Sequence, residues 1–334
     1  MADRRAPRTS RSDGRAIDWL LRGGQPSVRY FALTELLDRG EDDPAVRRAR
    51  SQIPRIGWAK ELLATQGPKG YWEAHEPRTV REWVNFLRFP VFRSSIWRGI
   101  VLSDLGLTAQ DPRVRRFAQC VFDYNLHLSS PLNLFTEEVC IVGNVAGMLT
   151  RFGYGDDRRV RKLYDWMLED QREDGGWNCA PDRPGTLDGW EALAALAALP
   201  KGKRTAGVAR AIERGAEFYL ERRLFREGRR YAPWFRFHYP THYYYDLLVG
   251  LDVLSRLGYA GDRRLRPALE VLLRKRRGDG TWVLDRIHPD EEPAPRAGTG
   301  ARRVRPLALE RAGRPSLWVT LTALRVLKRV EDAG

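Results

Sequence analysis

Histidine, cysteine and lysine are scarce in this chain. Five His and three Cys (Cys120, Cys140 and Cys179) stand among 334 residues. Three thiols so far apart build no disulfide framework, and that usage makes the cytoplasm the expected compartment. No C-x-x-C or C-H-G string occurs, and the spacing from His238 to His242 is interrupted by Pro240, which a helix does not tolerate in its interior. No apolar run approaches the roughly 18 residues that a membrane span requires. Met1-Ala2-Asp3-Arg4-Arg5 leads into further polar residues, which argues against a signal peptide. Lysine supplies seven of the 58 basic residues, and Arg the other 51. These arginines are spread through the whole chain without a basic block interleaved with aromatics, so nucleic acid is disfavoured as a partner despite a formal charge of +15. The same charge suits an anionic lipid surface touched peripherally, or a phosphorylated ligand.

What the chain does have is apolar mass and repetition. An apolar share of 43% with eleven Trp is ample for a buried core. Gln171, Gly175 and Trp177 form a Q-x-x-x-G-x-W pattern that recurs at Gln66, Gly70 and Trp72. A third copy keeps Gly280 and Trp282 and has Arg276 in the glutamine place; the copies start at 66, 171 and 276, so both intervals are 105 residues. A fixed period signals repeat architecture.

A second echo defines the unit. Leu105-Gly106-Leu107 leads to Asp111, Phe152-Gly153-Tyr154 to Asp157, and Leu257-Gly258-Tyr259 to Asp262. Each reads as an apolar helix stopped by Gly, a short turn, an Asp N-cap and an Arg-rich amphipathic helix. The unit is therefore an αα-hairpin, and the period holds two of them. Helices that are apolar nearly all round are expected near 27–39, 91–106, 134–152, 187–199, 241–257 and 315–330. Amphipathic partners are expected near 43–65, 111–125, 156–171, 205–224 and 261–276, with 15–22 as the sixth. Six inner helices ringed by six outer ones make a closed (α/α)6 toroid over residues 14–334. Residues 1–13, polar and unpatterned, read as a loose basic tail.

In such a ring every outer-to-inner connection lies at one end, beside the inner N-termini. The long insertions Tyr71–Pro90, Trp177–Thr186, Phe225–Thr241 and Trp282–Pro315 fall there, and loops gathered on one face of a scaffold usually carry function. The last of them, with Asp285 and Asp290-Glu291-Glu292 ahead of Arg302 and Arg303, is expected to cover the mouth. Residues delivered to this mouth are Arg29 and Tyr30, then Arg93 and Trp97, then Glu138, Cys140 and Asn144. Asp188, Trp190 and Glu191 follow, then Trp234, His238, His242, Tyr243, Tyr245 and Asp246, and finally Trp318. An aromatic cavity with a few carboxylates suits carbocation chemistry, because aromatic faces stabilise positive charge and a buried acid can supply a proton. Asp246, Asp188 and Glu138 are the candidate acids. Arg29 and Arg93 are the candidate anion contacts. Trp190, Trp234, Tyr243, Tyr245 and Trp318 are the candidate walls, with Tyr30, Trp97, Asn144, His238 and His242 beside them.

The Q-x-x-x-G-x-W stretches resemble the QW repeats of squalene–hopene and oxidosqualene cyclases, and the hairpin ring resembles the terpenoid cyclase and protein prenyltransferase toroids more widely. The resemblance spans Arg15 to Val330 and implies the toroid fold, with Gln tying outer-helix ends and Trp stacking nearby. It implies an isoprenoid-like or other small apolar ligand in the central cavity. Two departures stand out: the chain has no D-x-D-D acid and no DDxxD string, and its repeats make one toroid where triterpene cyclases have two. Prenyltransferase and lanthionine cyclase toroids hold zinc on Cys, His and Asp ligands, which would place a zinc ion on Cys140, Cys179 and His242. Toroids that process glycosides use paired carboxylates, for which Glu137 or Glu138, Asp188 and Asp246 are available. A non-catalytic binding toroid, with the aromatics as core, is the remaining alternative.

Overall fold

The computed structural model describes residues 11–73, 94–123, 138–180, 182–226, 231–241, 244–287 and 307–334. Candidates Arg93, His242 and Tyr243, together with residues 288–306 of the expected mouth cover, lie outside these segments. Among the described residues every regular element is helical, with only isolated bridges such as Trp177 with Thr186. None of their helices is long and apolar enough to cross a membrane.

The helices are α1 (Arg11–Arg22), α2 (Pro26–Phe31, continued by a π-turn to Leu36), α3 (Pro44–Gln52), α4 (Gly57–Ala64) and α5 (Ser95–Asp104). They continue as α6 (Pro112–Asp123), α7 (Val139–Leu149), α8 (Arg158–Glu169) and α9 (Trp190–Ala198). The last four are α10 (Ala206–Glu221), α11 (Leu247–Leu257), α12 (Arg266–Arg274) and α13 (Leu317–Asp332). The two expected kinds are distinct. Inner α7 buries ten of its eleven residues, whereas outer α8 buries only Val160, Leu163, Tyr164 and Met167, one stripe at helical spacing. Inner helices α2, α5, α7, α9, α11 and α13 thus form the wall of an all-α toroid inside a ring of outer ones.

Local chemistry explains where the elements start and stop. Asp43, Asp111, Asp157 and Asp262 each accept a backbone N–H two residues on, at 2.7–2.8 Å, in the turn that opens an outer element. The continuous outer helix expected over 43–65 is broken into α3 and α4, because Pro54 interrupts the hydrogen-bond ladder and Gly57 turns the chain with φ +71°. Outer helix α12 starts at Arg266 rather than at 261, since Pro267 takes its first turn after a short 3-10 turn at Arg263–Leu265. Residues 11–13, assigned by composition to a tail, are the first turn of α1, where Asp13 is buried against Arg276.

The repeated motif is a hinge pin between neighbouring outer helices. Gln66 Nε2 donates to the carbonyls of Gly70 (2.9 Å) and Arg113 on α6 (3.1 Å). Gln171 Nε2 does the same to Gly175 (2.8 Å) and Ala211 on α10 (2.9 Å). The Trp of each copy donates its indole N–H at 2.8 Å to the carbonyl ten residues earlier, Leu62, Met167 and Leu272 in turn. Arg276 replaces the glutamine with a charged bond: it pairs with Asp13 on α1, so the third copy ties the last outer helix to the first. Inner α13 completes the closure by packing on α1 and α2, with the Phe31 and Trp318 rings edge to face.

Candidate functional site

The inner helices enclose a cavity of about 270 Å³. This is at the small end for an organic ligand. It runs from the inner N-termini, at Trp190, Glu191, His238, Asp246 and Trp318, to the inner C-termini, at Asp104, Arg151, Arg256 and Arg329. Trp318 and Arg329 lie on one helix, α13, so the lining extends about 16 Å along the axis at 1.5 Å per residue.

The mouth carries two unlike acids. Asp246 is the N-cap of α11 and its oxygens are fully engaged. Its Oδ1 accepts from the Val249 N–H (2.9 Å), and Oδ2 accepts from the backbone N–H (3.0 Å) and the ring Nδ1 (2.7 Å) of His238. The other ring nitrogen of His238 lies 3.1 Å from the Thr241 carbonyl. Both ring nitrogens therefore face acceptors, which only the imidazolium satisfies. Burial by itself lowers the His238 pKa, but the Asp246 charge and the hydrogen bonds to Asp246, Thr241 and Arg236 outweigh it and raise it above the ordinary value.

Glu191 is the opposite case. It sits in the first turn of α9, is 1% exposed, and neither carboxyl oxygen meets a donor from another described residue. Burial pushes its pKa well above the carboxylate range, and the charges of Cys179 and Asp188 add to this. Desolvation thus favours the protonated form of Glu191 on the cavity wall. Close packing enforces the position: a Cβ on Gly143 of α7 would stand 2.6 Å from the Glu191 carbonyl carbon, so the two inner helices touch backbone to backbone here.

Of the residues expected at the mouth, Asn144, Trp190, His238, Asp246 and Trp318 line this cavity. Asn144 Nδ2 donates to the Cys140 carbonyl at 2.8 Å. Asp188 stays at an exposed position on the rim, where it accepts from the Trp234 indole at 3.1 Å. Desolvation raises its pKa, an effect its solvent exposure moderates. Glu138 is half-buried and precedes α7 as its N-cap residue. Arg29 and Tyr30 are turned toward the outer ring. Arg29 Nε donates to the Leu21 carbonyl (2.9 Å), while the Tyr30 hydroxyl binds Glu41 and Arg50. Trp97 and Tyr245 are fully buried in the core, and the Tyr245 hydroxyl donates to the Leu224 carbonyl at 2.9 Å. Trp234 packs edge to face on Tyr245.

The side chains of Cys140 and Cys179 are neighbours, and their interaction raises the Cys140 pKa and lowers that of Cys179. Among the described residues no third Cys, His, Asp or Glu joins them in a metal-binding arrangement.

The end opposite the mouth holds residues that sequence reasoning passed over. Glu35 bridges Arg325 (2.7 Å) and Arg329 (3.2 Å), Asp252 binds Arg329 (2.8 Å) and Arg256 (3.0 Å), and Arg151 binds Asp104 (3.2 Å). The signal was present: these are charged residues near the C-terminal ends of helices otherwise apolar on every side.

No protein-family model and no curated protein matches the chain. Solved structures do. A polysaccharide lyase aligns with a TM-score of 0.50 and 13% identity, covering 96% of this chain and 98% of its own. The type II terpene cyclase MstE from Scytonema, in complex with its product merosterolic acid A, aligns at 0.48 with 17% identity and 96% of both chains. A protein from Actinoplanes aligns at 0.43 with 18% identity over 96% of this chain and 98% of that one. At identities of 13–18% the likeness is one of fold.

Proposed function

We propose that this toroid is an enzyme of the terpenoid-cyclase-like class that admits an isoprenoid-like or otherwise largely apolar molecule to its central cavity. In this reading it initiates reaction with a proton from Glu191. The observation that carries the reading is the buried carboxyl of Glu191, which meets no donor from another described residue, on a cavity wall shared with Trp190 and Trp318. Proton donation needs an acid that keeps its proton at working pH, and burial supplies that. Transfer to a ligand double bond or oxygen leaves a carboxylate and a cation side by side. The cation faces indole rings, which favour it. Loss of a proton from the product cation back to Glu191 returns the acid, so the net reaction is an isomerisation or cyclisation. Asp246 serves in this scheme as the hydrogen-bond partner that fixes His238, and Asp188 as a rim carboxyl. A net charge of +15 suits collection of such a ligand from an anionic lipid surface.

The test is product analysis by gas chromatography–mass spectrometry after incubation with linear isoprenoid alcohols and acids. The wild-type chain should convert at least one of them, and Glu191→Gln, which keeps shape and loses the proton, should be slower by at least about 100-fold. Equal rates would remove Glu191 from the chemistry. Ligand captured in native mass spectrometry but never converted would make the protein a binder.

A further inference from the structure

The end of the cavity opposite the mouth is cationic in a way that its own carboxylates do not cancel. Arg151, Arg256, Arg325 and Arg329 line it. Glu35, Asp104 and Asp252 face them. Among the described residues, four guanidiniums against three carboxylates leave one positive charge, since His238 is paired with Asp246 and burial favours the protonated form of Glu191. Donors also exceed acceptors among them, because the Nε–H groups of Arg256 and Arg325 are buried and meet no hydrogen-bond partner in the described residues. A purely structural ion network in a protein interior would balance both charge and donors, since a desolvated surplus cation is costly.

Arg325 is the centre of this surplus. Its guanidinium lies 4.5 Å from the Phe31 ring centroid and 6.0 Å from that of Trp318, which fixes it in place. Its carboxylate partner, Glu35, is shared with Arg329. Burial lowers its pKa despite Glu35 and Asp252, as expected for a cation short of counter-charge. Burial also raises the Asp104 pKa, which weakens the anionic side further.

We propose that the arginine end is an oxyanion site, so that the ligand is amphipathic. An apolar body lies between Trp190 and Trp318 beside Glu191, and a carboxylate or phosphate head reaches Arg256 and Arg325. The inference rests on the reading of the cavity as an apolar-ligand site and assigns the polar end of that ligand. It also moves the anion contact from the mouth, where Arg29 and Arg93 suggested it, to the far end of the axis. Planar guanidinium donors match either head, because both present paired oxygens.

Titration of the full chain with decanoate, decyl phosphate and decan-1-ol, followed by calorimetry, tests this. Both anions should bind at least tenfold more tightly than the alcohol, and the tighter of the two identifies the head. Arg325→Met, which keeps an apolar stem over Phe31, should bring the anions to the affinity of the alcohol and leave the alcohol within twofold. Arg256→Met is the second variant and should act in the same direction. If the alcohol binds wild-type protein as tightly as the anions, the oxyanion site is overturned and the apolar cavity stands. If none of the three binds, both readings fall. If both variants weaken all three ligands alike, the arginines are structural and the proposal is overturned.

Discussion

A carboxyl buried without a donor weakens the fold that holds it, by about 1–3 kcal/mol on mutational scales. Glu191→Met should therefore raise the melting temperature by a few degrees, at about 1–2 °C per kcal/mol for a chain of 334 residues, while abolishing turnover. A lower melting temperature would show that the carboxyl has partners in solution. His238 makes a separate prediction about pH. Its folded pKa is raised above the ordinary 6.5, so the stability it contributes is fully present below about pH 6.5 and is lost as pH rises through the folded value. Glu191 acts with the same sign. The folded chain retains its proton above the ordinary carboxylate range while the unfolded chain has released it, so rising pH again favours unfolding. Thermal melts from pH 6 to pH 9 should show falling stability, and His238→Gln should flatten the upper part of that slope. These two groups were unequally legible. The sequence delivers both to the mouth, but whether an acid meets donors depends on side chains brought in from other hairpins, and periodicity is silent on that.

Elements were far more legible, because Asp caps, glycine stops and proline breaks act within a few residues. The inner helices and the outer caps follow from such local signals, and the departures do too: Pro54 splits the second outer helix and Pro267 delays the last. The repeated motif invites a paired test. Gly175 has φ +86°, and an added Cβ would stand 2.5 Å from the Arg214 carbonyl oxygen, whereas Gly153 has φ +105° with nothing within 4 Å of that position. Gly153→Ala should cost about 1–2 kcal/mol for the left-handed backbone alone. Gly175→Ala should cost clearly more, because it also drives the loop off α10. Equal losses in chemical denaturation would mean that the motif glycine is required by its backbone angle and not by the neighbouring helix. Gln171→Ala removes the donor from the Ala211 and Gly175 carbonyls and should cost about 1–3 kcal/mol.

At the scale of the whole molecule, six inner helices and a closed ring follow from counting hairpins, and the structure adds how the ring is fastened. The fastening pairs residues hundreds of positions apart: Arg276 with Asp13, Arg325 and Arg329 with Glu35, and Phe31 with Trp318. No local pattern announces such pairs, which is why the charged floor was missed although each of its residues is visible in the sequence. Closure also has a mechanical consequence. In an open solenoid each unit contacts only its neighbours, and removing a terminal helix subtracts that unit's share alone. Here α1 plugs the seam, with Ala16 and Leu20 completely buried against the ring and Arg15 donating to the Gly278 carbonyl at 3.3 Å. Deleting residues 1–22 should therefore expose both sides of the seam at once. The expected outcome is dye binding to newly exposed apolar surface, a broadened and much lower melting transition, and loss of cavity ligand binding although no cavity-lining residue is removed. A melt that stays sharp and shifts by only the few degrees of one lost helix would show that the remaining helices stand as an open arc and that the seam contributes little.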